Sequence, residues 1–220
     1  MELMKAIETR HSVRSYTDRA IEAEKAEELR TFIEQCNAES GLSMKLCLNE
    51  PKAFSGFMAT HYGSFKNVKN YIIISGKKGS ELDEKCGYYG EKVVIKAAQL
   101  GLNTCWVAMT YSKGACSAAK EDKIVCVIAL GYGETNGTAH KSKPLEKLCK
   151  VSGDMPEWFR KGMEAAMLAP TAMNQQKFII SLDGNSVSAK ALSGFYTKLD
   201  LGIVKYHFEV GAEGGNWRWQ

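Results

Sequence analysis

The segment Gly101-Leu102-Asn103-Thr104-Cys105-Trp106 returns late in the chain as Gly214-Gly215-Asn216-Trp217-Arg218-Trp219, with glycine, asparagine and tryptophan kept behind a helix of similar phase. A second echo accompanies it. From Pro156 a helical pattern with Phe159, Met163, Ala166 and Met167 on one face passes through a small polar turn into a strand at Phe178–Leu182, as the 24–50 segment passes from a helix to Leu46-Cys47-Leu48. Self-similarity of this kind restricts the fold more than any single motif, because each copy is one structural unit that needs a neighbour to bury its apolar face. It predicts two related halves, residues 1–150 and 151–220, forming an internal pseudo-dimer within a single unit spanning 1–220. A ligand cleft is expected between such halves.

The remaining periodicities complete an α+β reading. Leu3, Met4 and Ile7 share a helical face, and Leu29, Phe32, Ile33 and Cys36 follow the i, i+3, i+4, i+7 spacing of a second helix. Tyr71–Ile74 and Val125–Leu130 are short β-rich runs bounded by turn residues and read as strands. Between them Val93, Val94, Ala97 and Ala98 mark a buried helix stopped by Gly101, the residue type that best adopts a left-handed cap.

Composition excludes several classes. With 45% hydrophobic residues, 25% charged residues and four prolines in 220 positions, the chain can bury a core and is not disordered, collagen-like or a disulfide framework. The net charge of +4 comes without a continuous basic stripe, which argues against nucleic acid as a partner. Local groups, Arg10, Arg14 and Arg19 near the start and Lys141, Lys143, Lys147 and Lys150 later, suit a small anion better. No apolar run approaches the roughly 18 residues of a membrane span, and the opening Met1-Glu2-Leu3-Met4-Lys5 has neither a basic leader nor an apolar signal core, so a cytoplasmic protein is expected. Seven cysteines without a C-x-x-C pair read as buried thiols, and the four histidines lie at no short ligand spacing from one another or from a cysteine, so no metal site is expected.

Four segments carry candidate chemistry. In Arg10-His11-Ser12-Val13-Arg14 two guanidiniums flank a serine hydroxyl, a set that can fork onto a phosphate while Ser12 bonds a polyol or ring oxygen; the same residues equally suit a solvated turn. Lys141-Ser142-Lys143 places alternating lysines on one side of an extended segment, which again suits either an anion or solvent. Ala169-Pro170-Thr171-Ala172-Met173-Asn174-Gln175-Gln176 sets small residues and amides between a helix and a strand. There the backbone can approach a flat ligand and the amides can meet ring edges, or the segment simply connects two elements. In Trp106-Val107-Ala108-Met109 the backbone amides can face a ring, whereas the indole itself fits a core position. Gly76-Lys77-Lys78-Gly79-Ser80 lacks the spacing of a P-loop, which argues against a nucleotide hydrolase.

Together these segments resemble the nitroreductase family of FMN-dependent oxidoreductases. Arg10-His11-Ser12-Val13-Arg14-Ser15-Tyr16 is similar to the family's R-x-S-x-R/K-x-aromatic opening, and Gly101-Leu102-Asn103-Thr104-Cys105-Trp106 to its G-L-G-T-C-W helix end, with Asn103 in place of the second glycine. Pro170-Thr171-Ala172-Met173-Asn174-Gln175-Gln176 resembles its P-S-S-x-N-x-Q turn and Lys141-Ser142-Lys143 its K-x-R segment. Because the P-S-S-x-N-like turn falls late, the chain resembles the subgroup that fuses two nitroreductase-like halves and completes a site within one chain.

The resemblance implies an α/β/α sandwich with a mixed, mainly antiparallel sheet. It places Arg10, His11, Lys141 and Lys143 at the FMN phosphate, Ser12 on the ribityl chain or ring edge, and Arg14 near the N1/O2 edge. Pro170, Thr171, Ala172 and Asn174 would cap ring and ribityl, and the backbone of Trp106, Val107, Ala108 and Met109 would face N5 and O4. The implied reaction is ping-pong: NADH or NADPH reduces FMN, and a nitroaromatic, quinone or similar acceptor reoxidises it, with no side chain acting as nucleophile. The chain is then a monomer or weak homodimer. The alternatives are a flavin- or nucleotide-binding protein without efficient turnover, and a structural pseudo-dimer holding another anion.

Overall fold

A computed structural model describes residues 1–220. The residues group into two units. One comprises Met1, residues 10–82 and 92–139; the other comprises residues 2–9, 83–91 and 140–220.

The first unit is built on helix α2 (Ala23–Ser40) and a four-stranded antiparallel sheet; helix α1 (Leu3–Thr9) belongs to the second. Helix α2 buries Ala26, Leu29, Ile33 and Cys36, the stripe its 3.6-residue period places on one face, and leaves Phe32 half-buried. It ends at Gly41, whose left-handed backbone (φ 72°) lets its N–H bond the Asn37 carbonyl. Strands β1 (Lys45–Cys47), β2 (Asn70–Lys77), β3 (Asn103–Val107) and β4 (Asp122–Gly131) lie in the order β1-β2-β4-β3. The two central strands, β2 and β4, are almost wholly buried, which is why their sequences are continuous apolar runs without polar alternation. Val13, Tyr16, Phe54, Phe65, Tyr71, Val107 and Val127 belong to one buried cluster on this sheet.

In the second unit a mixed sheet joins β5 (Cys149–Ser152), β6 (Phe178–Asp183), β7 (Ser186–Ala191) and β8 (Arg218–Trp219) in that order. Pairing is parallel for β5/β6 and β7/β8 and antiparallel for β6/β7. Helices α4 (Glu157–Ala166) and α5 (Thr197–Gly211) pack together, and both meet α1. The strands thus form two four-stranded sheets where sequence reasoning expected one; the α+β class and the predominance of antiparallel pairing hold.

Helix α3 (Leu82–Gln99) gives its first part to the second unit and its last part to the first. Where residues 83–91 cross α5, two glycines remove the side chains that would separate the backbones. A Cβ on Gly87 would lie 1.9 Å from the Leu199 carbonyl oxygen, and one on Gly202 would lie 2.0 Å from the Glu84 carbonyl oxygen. Each glycine therefore meets the carbonyl three residues before the other, a reciprocal arrangement. Beside this crossing a buried pair forms: His207 Nε2 sits 2.8 Å from Glu91 Oε1, and His207 Nδ1 sits 3.0 Å from the Ala165 carbonyl. A carbonyl only accepts, so Nδ1 carries a proton and a second proton is held between Nε2 and Glu91.

The sequence echoes have structural counterparts. The order helix–strand–strand–helix–strand occurs twice along the chain, as α2-β1-β2-α3-β3 and α4-β6-β7-α5-β8. Gly101 and Gly214, the matched glycines, have φ of 77° and 81° and each leads from a helix toward a strand. In the first unit β2 and β3 both run antiparallel to β4 and so share a direction; β7 and β8 share a direction by pairing directly. The second unit lacks a strand corresponding to β4.

Candidate functional site

The arginine segment is an extended strip laid along the edge strand of the first sheet. Ser12 bridges Thr104 of β3 in parallel, and the Val13 N–H donates to the Thr104 carbonyl at 3.0 Å. Further along, Tyr16 N–H donates to the Lys66 carbonyl, Lys66 N–H to the Arg14 carbonyl, and Glu134 N–H to the Ser15 carbonyl. Val13 and Tyr16 join the core, while Arg14 is exposed and Ser12 half-buried; the odd spacing of 13 and 16 means the strip does not keep a strict two-residue alternation. Arg10 is buried at 7% exposure, and His11 is half-buried.

The strip is also held from the side of the 131–137 turn. Gly137, with φ 76°, passes so close that a Cβ there would sit 2.9 Å from His11 Cβ and 3.0 Å from the Ser12 carbonyl oxygen. Asn103, which replaces a family glycine, uses its side-chain oxygen to accept the Gly133 N–H at 2.9 Å. That substitution therefore has a structural role.

Cys105 registers the local charge. Burial pushes its thiol up, and the Arg14 charge, a Ser12 hydrogen bond and the Arg10 charge pull the other way. Arg10, Ser12 and Arg14 thus all act on the Cys105 thiol of β3. At the end of β3 Trp106 is half-buried and Val107 is buried; just past it Ala108 is half-buried and Met109 stands 65% exposed.

In the second unit the lysine segment and the small-residue turn are laced together. The His140 ring and the Ser142 hydroxyl both bond the Met167 carbonyl. Asn174 Nδ2 donates to the Lys141 carbonyl at 2.8 Å, and the Lys143 N–H donates to Gln176 Oε1 at 2.7 Å. Lys143 Nζ donates to the carbonyls of Gln175 and Gln176, so two of its three protons serve the turn. The Lys141 side chain is exposed. Thr171 is buried, and its hydroxyl accepts the Gln176 N–H at 3.0 Å. Pro170 and Ala172 are half-buried beside it.

This turn is strained. Met173, Asn174 and Gln176 have φ of 52°, 52° and 43°, a region costly for residues with a Cβ, and Met173 at its apex is 95% exposed. A residue absent from the sequence-based set restrains it. Asp200, 2% exposed on α5, accepts the Ala172 N–H at 2.9 Å on one oxygen and Gln175 Nε2 at 2.8 Å on the other. Burial pushes its carboxyl up to about 6 against the pull of those two donors. The available signal was an acid inside the apolar run Leu199-Asp200-Leu201-Gly202-Ile203.

No group of three or more His, Cys, Asp or Glu side chains is placed to hold a metal ion. All seven cysteines are thiols, six of them buried. No helix is long and apolar enough to cross a membrane.

This fold recurs among solved structures. The chain is similar to a "putative nitroreductase" from Thermotoga maritima MSB8, with a TM-score of 0.69, 24% identity, and coverage of 96% of this chain and 83% of that one. An FMN-dependent nitroreductase from Clostridium difficile R20291 matches with a TM-score of 0.52 and 18% identity, over 62% of this chain and 90% of its own. A "putative nitroreductase" solved in complex with FMN, from Desulfovibrio desulfuricans, gives 0.53 and 16% over 71% and 98%. No curated protein matches the chain. A family model described as "Putative TM nitroreductase" matches residues 2–212, and the chain belongs to the nitroreductase family.

Proposed function

We propose that the protein is an FMN-dependent oxidoreductase. The observation that most directly supports this is the strip carrying Arg10, Ser12 and Arg14, fixed by backbone hydrogen bonds against β3 and Gly137. Two guanidiniums and a hydroxyl on a rigid edge are chemically suited to a phosphate and the polar chain beyond it. Arg10 and His11 serve the phosphate, Ser12 the ribityl chain, and Arg14 the pyrimidine edge, where a fixed cation favours the more negative, reduced state. The Trp106–Met109 backbone would hold the ring at its N5 and O4 edge. Pro170, Thr171, Ala172 and Asn174 are the second unit's candidates for ring and ribityl contacts, and Lys141 and Lys143 its candidates for the phosphate; Lys143 also braces the turn.

When bound, FMN supplies hydride exchange between NADH or NADPH and a nitroaromatic, quinone or similar acceptor, in two alternating half-reactions. The chain's own work is binding and orientation, and no side chain is needed as a nucleophile. The fused-halves organisation belongs to the same proposal. Support comes from the repeated element order, the matched left-handed glycines, and the reciprocal crossing at Gly87 and Gly202.

Titration with FMN tests the proposal. Binding is expected to raise the melting temperature, and anaerobic NADH or NADPH to bleach the flavin absorbance. Arg14→Ala, an exposed change that leaves the strip's backbone bonds in place, is expected to weaken FMN affinity about 10- to 100-fold. Absence of FMN binding refutes the proposal; binding without bleaching by either nucleotide leaves a flavin-binding protein.

A further inference from the structure

Asp200 is an ionisable group that the packing of α5 does not require. Leu199, Leu201, Ile203 and Val204 around it are buried, and an apolar side chain there would avoid the desolvation that a carboxylate suffers. Yet both of its oxygens are committed to one target, the Ala172 N–H and the Gln175 amide. Gln175 Nε2 also reaches the Phe195 carbonyl, so a single amide ties the turn to α5 and to the loop before it. Met173 and Asn174, between these anchors, and Gln176, just after them, are in left-handed conformations, which persist only when their surroundings over-determine them.

We propose that Asp200 is a positioning residue that holds the 171–176 turn in its ligand-contacting shape through Ala172 and Gln175. The inference rests on the assignment of that turn to the flavin. Asp200 acts through the turn and touches no ligand itself. Its two hydrogen bonds are charge-assisted, the stronger class, and their donors flank Met173 and Asn174, two of the three strained residues. The ionised group is retained although burial pushes its carboxyl up to about 6, as expected where the fold accepts a local cost to fix a functional turn.

The test uses the full-length protein and two variants, Asp200→Asn and Gln175→Met. Asparagine keeps the shape but presents N–H groups toward a donor, and methionine removes the second anchor from the turn's side. Three quantities are measured: FMN affinity, amide hydrogen exchange, and melting temperature without FMN. Each variant is expected to bind FMN about tenfold more weakly. Exchange should accelerate at Ala172, Asn174 and Gln176 while β6 stays protected, and the melting temperature should move little.

Unchanged turn exchange with FMN affinity within twofold of the parent overturns the inference and leaves the flavin assignment standing. Exchange rising throughout β6 and α5, with a large fall in melting temperature, makes Asp200 an ordinary structural residue and also overturns it. If the parent protein itself fails to bind FMN, the flavin assignment falls and takes the ligand role of the turn with it; the exchange measurement still decides whether Asp200 restrains the turn.

Discussion

At the scale of single residues, the chain places charge where it is costly and then surrounds it with donors. Asp200 shows the energetic sign. Its folded-state pKa, about 6, lies above the ordinary 3.8, so the folded protein retains that proton to higher pH than the unfolded chain does. Its contribution to stability is therefore fully present below pH 3.8 and is lost as pH rises through about 6. At about 1.4 kcal/mol per unit, the loss is on the order of 3 kcal/mol. Urea unfolding of the parent and Asp200→Asn should show the parent losing about 2–3 kcal/mol relative to the variant between pH 4.5 and pH 7. A stability gap that stays constant across this range contradicts the account. The arginines and Ser12 were legible in the sequence because their spacing is local and their chemistry is distinctive. Asp200 was not, because its partners Ala172 and Gln175 are more than twenty positions away and only the folded turn brings them to it.

At the scale of elements, close approach rather than propensity decides the packing of α3 and α5. Gly87→Ala and Gly202→Ala each favour helix in isolation, yet each drives a methyl into an opposing backbone carbonyl. Either substitution should destabilise the protein by about 1–3 kcal/mol or more, seen as a lower urea midpoint; an unchanged midpoint would show that the helices can separate freely. The buried Glu91–His207 pair gives a second case. Removing one partner with Glu91→Ala leaves a buried polar group unanswered and should cost about 3–5 kcal/mol, checked by the same unfolding measurement. Helices and central strands were readable from periodicity, since β2 and β4 bury the residues their pattern marks and α2 buries all of its marked residues except the half-buried Phe32. The division of strands between two sheets was not readable, because pairing is a long-range choice and a period of two residues says nothing about the partner. The parallel pairing of β7 with the two-residue β8 lies beyond any local signal.

At the scale of the whole molecule, the sequence echo sits beside an element order that occurs twice along the chain and two left-handed glycines, Gly101 and Gly214. On the fused-halves reading, the protein should sediment as a monomer at micromolar concentration and retain about one FMN per chain, measured by flavin absorbance against protein mass; an obligate homodimer argues against that reading. The distribution of the units along the sequence carries a further consequence, for synthesis. Residues 2–9 leave the ribosome well before residues 140–220, with which they belong, and residues 83–91 wait with them. Ala6, Ile7 and the Gly87 face of α3 must therefore stay uncovered until residues 140–220 are made. A ribosome paused near residue 139 would hold a nascent chain whose first helix has no place to dock, so translation speed, as well as sequence, bears on how much protein reaches the native state.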